Sequence, residues 1–302
     1  MGKKILVLYY SQSGQLGSIL SNYVKPLIAD GNLVETVNVC TKKEYIFPWT
    51  SKSFFDVMPD CVLGVPTELE QFQCKESKYD LIILGYQAWF LSPSIPINSI
   101  LQNNTVKNIL HNTPVITITG ARNMWITALE RIKPMLQNAG AKHVANIVTQ
   151  DRHSNFISFF TIQHWMYSGK KDKMFGFLPL PGVSDKDIKD CSEFGQITIK
   201  YLATNNYNGL QAELLKMKAV VVKYNLMFIE SKASKLFGIW AKVISTRKNK
   251  ATWLVAFKYY LIIAFLIAAP IILTVNTLFF RPFLGKRIKK QINYYSGVNQ
   301  LN

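Results

Sequence analysis

The chain has 302 residues, of which 49% are hydrophobic, so it can bury a full core and is long enough for one α/β domain with a sizeable extension. Its net charge of +17 is unevenly distributed, because residues 210–302 contain 15 Lys and Arg residues against 2 acidic ones. The four cysteines include no Cys-x-x-Cys pair and have no histidine at metal-ligand spacing, which predicts reduced thiols and no metal site.

The first predicted strand ends in a turn that has the composition of an anion site. Residues 5–10 are apolar without interruption, as in a strand buried on both faces of a parallel sheet. The turn combines two hydroxyls and a glycine with a helix N-terminus, whose free backbone N–H groups bind anions. It consists of Ser11, Gln12, Ser13, Gly14, Gln15 and Leu16. We predict a phosphate site here, and the alternative is an ordinary strand–turn–helix connection.

Two other kinds of nucleotide site are disfavoured. The turn lacks Gly-x-Gly-x-x-Gly, which argues against a dinucleotide fold, and no Gly-Lys-Ser/Thr follows, which argues against a P-loop.

In residues 33–39 apolar and polar residues alternate, which predicts the second strand, at a sheet edge. Residues 41–79 are rich in aromatic residues and prolines and predict a packed insertion, which either lines a site or only fills space.

The third and fourth predicted strands, residues 79–85 and 114–119, are each followed by a loop that points to a ligand. After the third come Gln87, Ala88, Trp89 and Phe90, and an aromatic residue beside loop backbone suits a flat amphipathic ring. The alternative is that Trp89 belongs to the core. After the fourth come Gly120, Arg122 and Asn123. Arg122 either holds a substrate oxygen or forms a surface salt bridge.

The remaining sheet domain is expected to end near residue 209. Residues 141–149 predict the fifth strand, and residues 151–183 form an aromatic-rich flap that is a lid over an apolar substrate, a membrane-facing surface or simple packing. His153 and His164 lie in this flap as weak catalytic candidates, although histidines at such positions are more often structural. Ser184 is expected to cap the last helix of the domain.

The C-terminal third has the composition of a membrane attachment. Residues 210–258 predict basic amphipathic helices that lie on a surface, with a partner helix as the alternative. Residues 259–280 carry no charge and would form a helix of about 33 Å, and residues 281–302 are a basic tail. Since both flanks are basic, we expect both on the cytoplasmic face of a membrane, with a bend at Pro270. A single span is the alternative, and we expect no nucleic-acid partner.

The chain resembles the flavodoxin-like FMN proteins at two motifs. Ser11, Ser13 and Gly14 match their phosphate loop, where Leu16 replaces the usual hydroxyl. Gly85, Trp89, Pro93 and Pro96 match their Gly-x-Pro-x-Trp-x-x-x-Pro-x-x-Pro loop, where Gln87 replaces the first proline. The resemblance implies a doubly wound, parallel five-stranded α/β sheet of order 2-1-3-4-5. It also implies that FMN is bound by the three loops, with Arg122 near the negative charge of the reduced ring.

A narrower resemblance covers residues 3–200 and is to the flavodoxin-like proteins of dialkylresorcinol and flexirubin-type pigment pathways, known as condensing enzymes. It implies an FMN oxidoreductase that aromatises a lipophilic dialkylcyclohexane-1,3-dione, with a ketosynthase as partner. The alternatives are a flavodoxin-like electron carrier, which residues 1–209 disfavour because they are slightly basic, and a membrane-bound scaffold without FMN.

Overall fold

The computed structural model describes residues 2–298, which form an α/β domain followed by a helical extension. The strands are β1 (Lys4–Tyr9), β2 (Leu33–Asn38), β3 (Leu81–Tyr86), β4 (Ala88–Trp89), β5 (Ser92–Pro93), β6 (Pro114–Ala121) and β7 (Lys142–Gln150). Five of them form a parallel sheet in the order β2-β1-β3-β6-β7, which confirms the predicted strand order. The remaining pair, β4 and β5, forms a small antiparallel hairpin beside the sheet.

Helices cover both faces of the sheet. Those of the domain are α1 (Gln15–Ala29), α2 (Ser51–Asp56), α3 (Met58–Leu63), α4 (Ile95–Gln102), α5 (Asn104–Leu110), α6 (Ile126–Asn138), α7 (Asn155–Ser168) and α8 (Asp185–Thr204). Apolar residues of α1 and α8 bury one sheet face, and those of α4, α5 and α6 bury the other. All six residues of β3 are buried, whereas β2 alternates between half-buried and exposed residues. These patterns place β3 at the centre of the sheet and β2 at its edge.

The α1–α8 contact depends on a glycine. A Cβ atom on Gly195 would lie 2.0 Å from the carbonyl oxygen of Tyr23, so only glycine permits this approach of the two helices. One turn along α8, the hydroxyls of Tyr23 and Thr198 share a buried hydrogen bond of 2.8 Å. At its start, the Ser184 side chain accepts a hydrogen bond from the Asp187 N–H, as expected for the N-cap.

The packed domain extends beyond residue 209 to about residue 222. Helix α9 (Leu210–Lys216) buries Leu210 and Leu214 in the core rather than lying on a membrane. The Gln211 side-chain amide accepts from the Asn146 N–H and donates to its carbonyl, at 2.7 and 3.2 Å, and the Val148 N–H donates to the Ala219 carbonyl. These bonds satisfy backbone groups along the outer edge of β7, so the segment belongs to the sheet domain.

The extension consists of three further helices, α10 (Tyr224–Ser245), α11 (Lys250–Phe283) and α12 (Gly285–Ser296). Helix α10 packs against α3 and α11 through Phe237, Ala241 and Ile244, so its apolar face covers protein, as in the alternative of a partner helix. Helix α12 packs Ile288 and Tyr295 against the domain core. It occupies most of the predicted basic tail, of which residues 299–302 lie outside the described range.

Helix α11 is long and apolar enough to cross a membrane by length and composition, since its most apolar window has a mean hydropathy of 2.4 and only 6% of that window is buried. The helix is continuous over its 34 residues, so Pro270 does not end it. Residues 264–268, which end two positions before the proline, form a π-helical turn. Prolines and π-helical turns are both places where long helices bend, so the bend at Pro270 stays a prediction.

Candidate functional site

The turn between β1 and α1 has the features of an anion site. Gly14 adopts a left-handed conformation (φ 80°) directly before α1, and no side chain caps this helix within the described residues. The first N–H groups of α1 therefore remain available, and the helix dipole favours negative charge there. The buried hydroxyl of Ser11 has no hydrogen-bond partner within residues 2–298, as expected of a group whose partner is a ligand.

The two glutamines of the turn hold it in place. Gln12 accepts a hydrogen bond from the Trp49 indole at 2.9 Å and donates to the Tyr45 carbonyl at 3.0 Å. Gln15 exchanges two hydrogen bonds of 3.2 Å with the backbone of Val183. The Leu16 side chain is buried in the core, so it supplies no hydroxyl to the anion site. The glutamine side chains thus fix the loop conformation.

The β4–β5 hairpin presents the predicted ring site. Its two turn residues, Phe90 and Leu91, both have positive φ values (46° and 59°), which is the backbone of a type I′ turn and is unusual without glycine. Trp89 lies edge-on to Tyr45 and Trp49, with centroid distances of 5.3 and 5.4 Å. The indole is half-buried rather than part of the closed core, and it contacts a cavity.

At the end of β6, Arg122 is held beside an aromatic ring. Its guanidinium donates to the backbone and side-chain oxygens of Asn155, both at 3.1 Å, and lies 5.9 Å from the centre of the Phe159 ring. Within residues 2–298 it forms no ion pair shorter than 4.0 Å, so the salt-bridge alternative is not seen. Burial lowers the pKa of Arg122 to about 10 and nearby Asp151 opposes this, which leaves the side chain charged at neutral pH.

The weak histidine candidates lie outside the site. His153 is exposed, and its backbone N–H donates to Asp151. His164 pairs with Asp172 at 2.7 Å on the outer side of α7. Neither ring borders the cavity described below, so neither is positioned for a catalytic role there.

One cavity of about 1520 Å³ brings most of the predicted residues together. Ten of the thirteen predicted cofactor residues line it, namely Gln12, Ser13, Gln15, Leu16, Gln87, Ala88, Trp89, Phe90, Gly120 and Arg122. Ser11 and Asn123 do not line it, and Gly14 borders a shallower neighbouring groove. Residues of the predicted insertion and flap, such as Trp49 and Phe159, also form its walls.

The far wall of the cavity was not predicted from the sequence. It is built by α10 and α11, through Phe237, Trp240, Phe265 and Ile272. A signal was present, because Phe257, Leu261 and Phe265 repeat at four-residue intervals on one face of α11. In a helix that is apolar on all sides, the face that packs against protein cannot be recognised from the sequence, because no polar residues mark the other faces.

The order β2-β1-β3-β6-β7, with helices on both faces, defines a flavodoxin-like fold, in which loops at the carboxyl ends of the strands form the binding crevice. No family model and no curated protein matches the chain. Solved structures do, among them a flavoprotein in complex with FMN from Lactobacillus acidophilus NCFM, which is 21% identical (TM-score 0.39, 50% of this chain and 94% of that chain). Flavodoxin 1 from Bacillus cereus is 14% identical (TM-score 0.36, 66% and 98%). An archaeal flavodoxin is 12% identical (TM-score 0.37, 66% and 99%).

Proposed function

We propose that this protein is an FMN-dependent oxidoreductase that acts on a lipophilic ring compound at a membrane. The observation that carries the proposal is the single cavity of about 1520 Å³ that connects the β1–α1 turn with the apolar wall of α10 and α11. Pockets for one ligand are usually about 300–1,000 Å³. The cavity therefore has room for a cofactor and a second, apolar molecule.

The residues present fit FMN. The phosphate would be held by Ser13 and the first N–H groups of α1, and the same turn contains Ser11, whose buried hydroxyl has no partner among the described residues. The ring would be held by the loop from Gln87 to Phe90, where the buried side-chain oxygen of Gln87 also has no partner in the part of the chain that the structure describes. When bound, FMN supplies a two-electron acceptor.

The substrate we propose is a dialkylcyclohexane-1,3-dione, which becomes a dialkylresorcinol by losing two hydrogens. Such a molecule combines two apolar chains with ring oxygens. The aromatic walls of the cavity match the chains and exclude water, and the charged Arg122 is available to bind an enolate oxygen. A ketosynthase that supplies the dione is the partner we propose with this assignment. The basic residues on both sides of α11 support a location at the cytoplasmic face of a membrane.

The walls of the cavity favour an enzyme over an electron carrier. A carrier passes electrons through an exposed edge of its flavin, whereas here α7, α10 and α11 stand over the site that the ring would occupy. A scaffold that lost FMN would have no need to leave the Ser11 and Gln87 oxygens without partners.

The test uses the full-length protein purified in detergent. Denaturation should release FMN, and under anaerobic conditions a long-chain dialkylcyclohexane-1,3-dione should bleach the bound flavin and yield the resorcinol in a single turnover. Release of FAD, or no flavin after reconstitution, would refute the cofactor assignment. Bound FMN that the dione does not reduce would refute only the substrate.

A further inference from the structure

Helix α11 contacts the domain at two points far apart along its length. Phe257 is fully buried and packs against Phe55 and Phe237, with centroid distances of 6.2 and 5.3 Å. Asn276, which is also buried, accepts and donates hydrogen bonds with the Tyr224 hydroxyl. Nineteen residues, or about 29 Å of helix, separate these contacts. The helix therefore lies along the surface of the domain.

The chain beyond α11 returns to the same domain. The Tyr294 hydroxyl of α12 donates to Glu130 of α6 at 2.7 Å, and the Gln211 amide donates to the Ser296 carbonyl at 2.8 Å. A helix that crossed the bilayer would place one of its ends about 30 Å away from the other, on the opposite side of the hydrocarbon core. With these contacts intact, both ends of α11 stay on the side of the domain.

The outer face of α11 is apolar and exposed. Ile267, Ile271 and Leu278 are 56%, 58% and 64% exposed, and Phe283 is 86% exposed. A continuous apolar surface of this kind calls for an apolar partner. Exposed basic residues border it at both ends, namely Arg247, Lys248 and Lys250 before the helix and Lys286, Arg287, Lys289 and Lys290 after it. Apolar residues flanked by basic ones complement an anionic lipid surface, because the apolar residues contact the acyl chains and the basic residues contact the phosphate headgroups.

The cavity opens beside this helix. Tyr259, Ile263 and Leu266 both line the cavity and are exposed, at 61%, 56% and 43%. Between α11 and α7, Phe265 stacks on Phe159 with a centroid distance of 4.2 Å, and Phe159 in turn lies over Arg122. The stack thus connects the exposed apolar surface with the interior of the site.

We propose that α11 lies in the plane of an anionic membrane, and that a lipophilic substrate enters the cavity sideways from the lipid between α7 and α11. The position of the helix rests on the membrane location in the proposed function but not on its flavin chemistry, whereas the route of the substrate rests on both. Two experiments therefore test the two parts separately.

The first experiment measures the depth of α11 in vesicles of phosphatidylcholine and phosphatidylglycerol. Exposed Cys40 and half-buried Cys74 are changed to serine in the full-length chain, and single cysteines at Ala256, Ile267 and Leu278 are labelled with an environment-sensitive fluorophore. The three positions share one helix face and extend over about 33 Å. Spin-labelled lipids should quench all three at the same shallow depth.

Quenching that is deepest at residue 267 and shallow at the other two positions would show a span and overturn the in-plane placement. A protein that does not bind the vesicles would overturn it as well, and so would a dimer whose α11 faces are mutually buried. These outcomes are read without any flavin or substrate.

The second experiment compares Phe265→Ala with Phe279→Ala in vesicle-bound protein. Both remove a phenyl ring from α11, but Phe265 lies in the stack against Phe159 and Phe279 is 65% exposed outside the cavity. The association rate of a long-chain alkylresorcinol, followed by tryptophan fluorescence, should change several-fold for Phe265→Ala and remain unchanged for Phe279→Ala. Equal rates for both variants in a protein that binds FMN would overturn the lateral route and leave the proposed function standing.

Discussion

Glu230 of α10 performs at a distance the role of an N-cap for α6. Its carboxylate accepts hydrogen bonds from the backbone N–H and the hydroxyl of Thr127, at 2.7 and 2.9 Å, and α6 has no side-chain cap of its own. The helix dipole favours a negative charge at this end. The carboxylate is nevertheless 1% exposed, and this burial outweighs the hydrogen bonds and raises its pKa to about 7.

This pKa predicts how stability depends on pH. The pKa of Glu230 is about 7 in the folded protein against 4.5 in the unfolded chain, so the folded protein holds the proton more tightly. Protonated Glu230 therefore contributes to the free energy of unfolding in full below pH 4.5, and this contribution is lost as the pH rises towards 7. The loss is on the order of 3 kcal/mol. Urea unfolding of the wild type and Glu230→Gln across this range should show the decline only in the wild type. The exposed Glu193→Gln variant should follow the wild type, and parallel curves for Glu230→Gln would contradict the assignment.

Ser13 tests the phosphate site at the level of one side chain. Ser13→Glu places a carboxylate at the turn before α1, and the repulsion between two unit charges about 4 Å apart is between about 1 and 4 kcal/mol. FMN affinity should therefore fall between about fivefold and about a thousandfold, as measured by flavin fluorescence during titration of the apoprotein. The same change at Ser21, which is exposed further along α1, should have little effect. Equal affinities for the two variants would place the phosphate elsewhere.

At the scale of the elements, the sequence predicted the strands well and the packing of the C-terminal helices poorly. Uninterrupted apolar runs such as β3 have one solution in a parallel sheet, so the pattern determines both the element and its place. An amphipathic helix shows only that one face is covered. Helix α10 was expected to cover lipid, and it covers α3 and α11. The partner that covers an apolar helix face depends on the rest of the fold, so a local sequence pattern does not identify it.

The contact between α1 and α8 provides a prediction for a pair of elements. Gly195→Ala should lower the free energy of unfolding by about 1–3 kcal/mol, because the new Cβ would overlap the Tyr23 carbonyl and force the helices apart. Gly238→Ala is the matched control, since this helical glycine of α10 has open space around its Cβ position. It should raise stability by about 0.5–1 kcal/mol. Chemical denaturation of both variants measures the difference, and two changes of the same sign would contradict the close approach.

At the scale of the whole molecule, the site is made by parts of the chain that are far apart in sequence. The loops after β1, β3 and β6 were predicted because short motifs mark them, and all three border the cavity. The wall from α10 and α11 was missed, since it exists only after the extension folds back onto the domain. The sequence thus predicts the polar end of the site, and the structure adds its apolar end.

This arrangement predicts the result of truncating the chain before α11. If α11 were only a detachable anchor, a chain cut after Asn249 would be a soluble domain that still binds FMN. The cut, however, removes Phe257 from its cluster with Phe55 and Phe237 and removes one wall of the cavity. We expect the truncated protein to unfold at a lower temperature than the full chain in the same detergent and to retain less FMN on gel filtration. Unchanged melting and flavin retention would show that α11 contributes neither packing nor a cavity wall.

The hydrogen bonds along the outer edge of β7 affect whether the sheets of two copies of this protein can pair. An open edge strand offers unpaired N–H and carbonyl groups to any similar strand and invites growth of the sheet from one chain into the next. Confinement to a membrane surface would raise the local concentration and with it the frequency of such encounters. Here Gln211 and Ala219 already occupy this edge at Asn146 and Val148. The segment after α8 that contains Gln211 and Ala219 therefore protects this edge of the sheet from pairing with a strand of another chain.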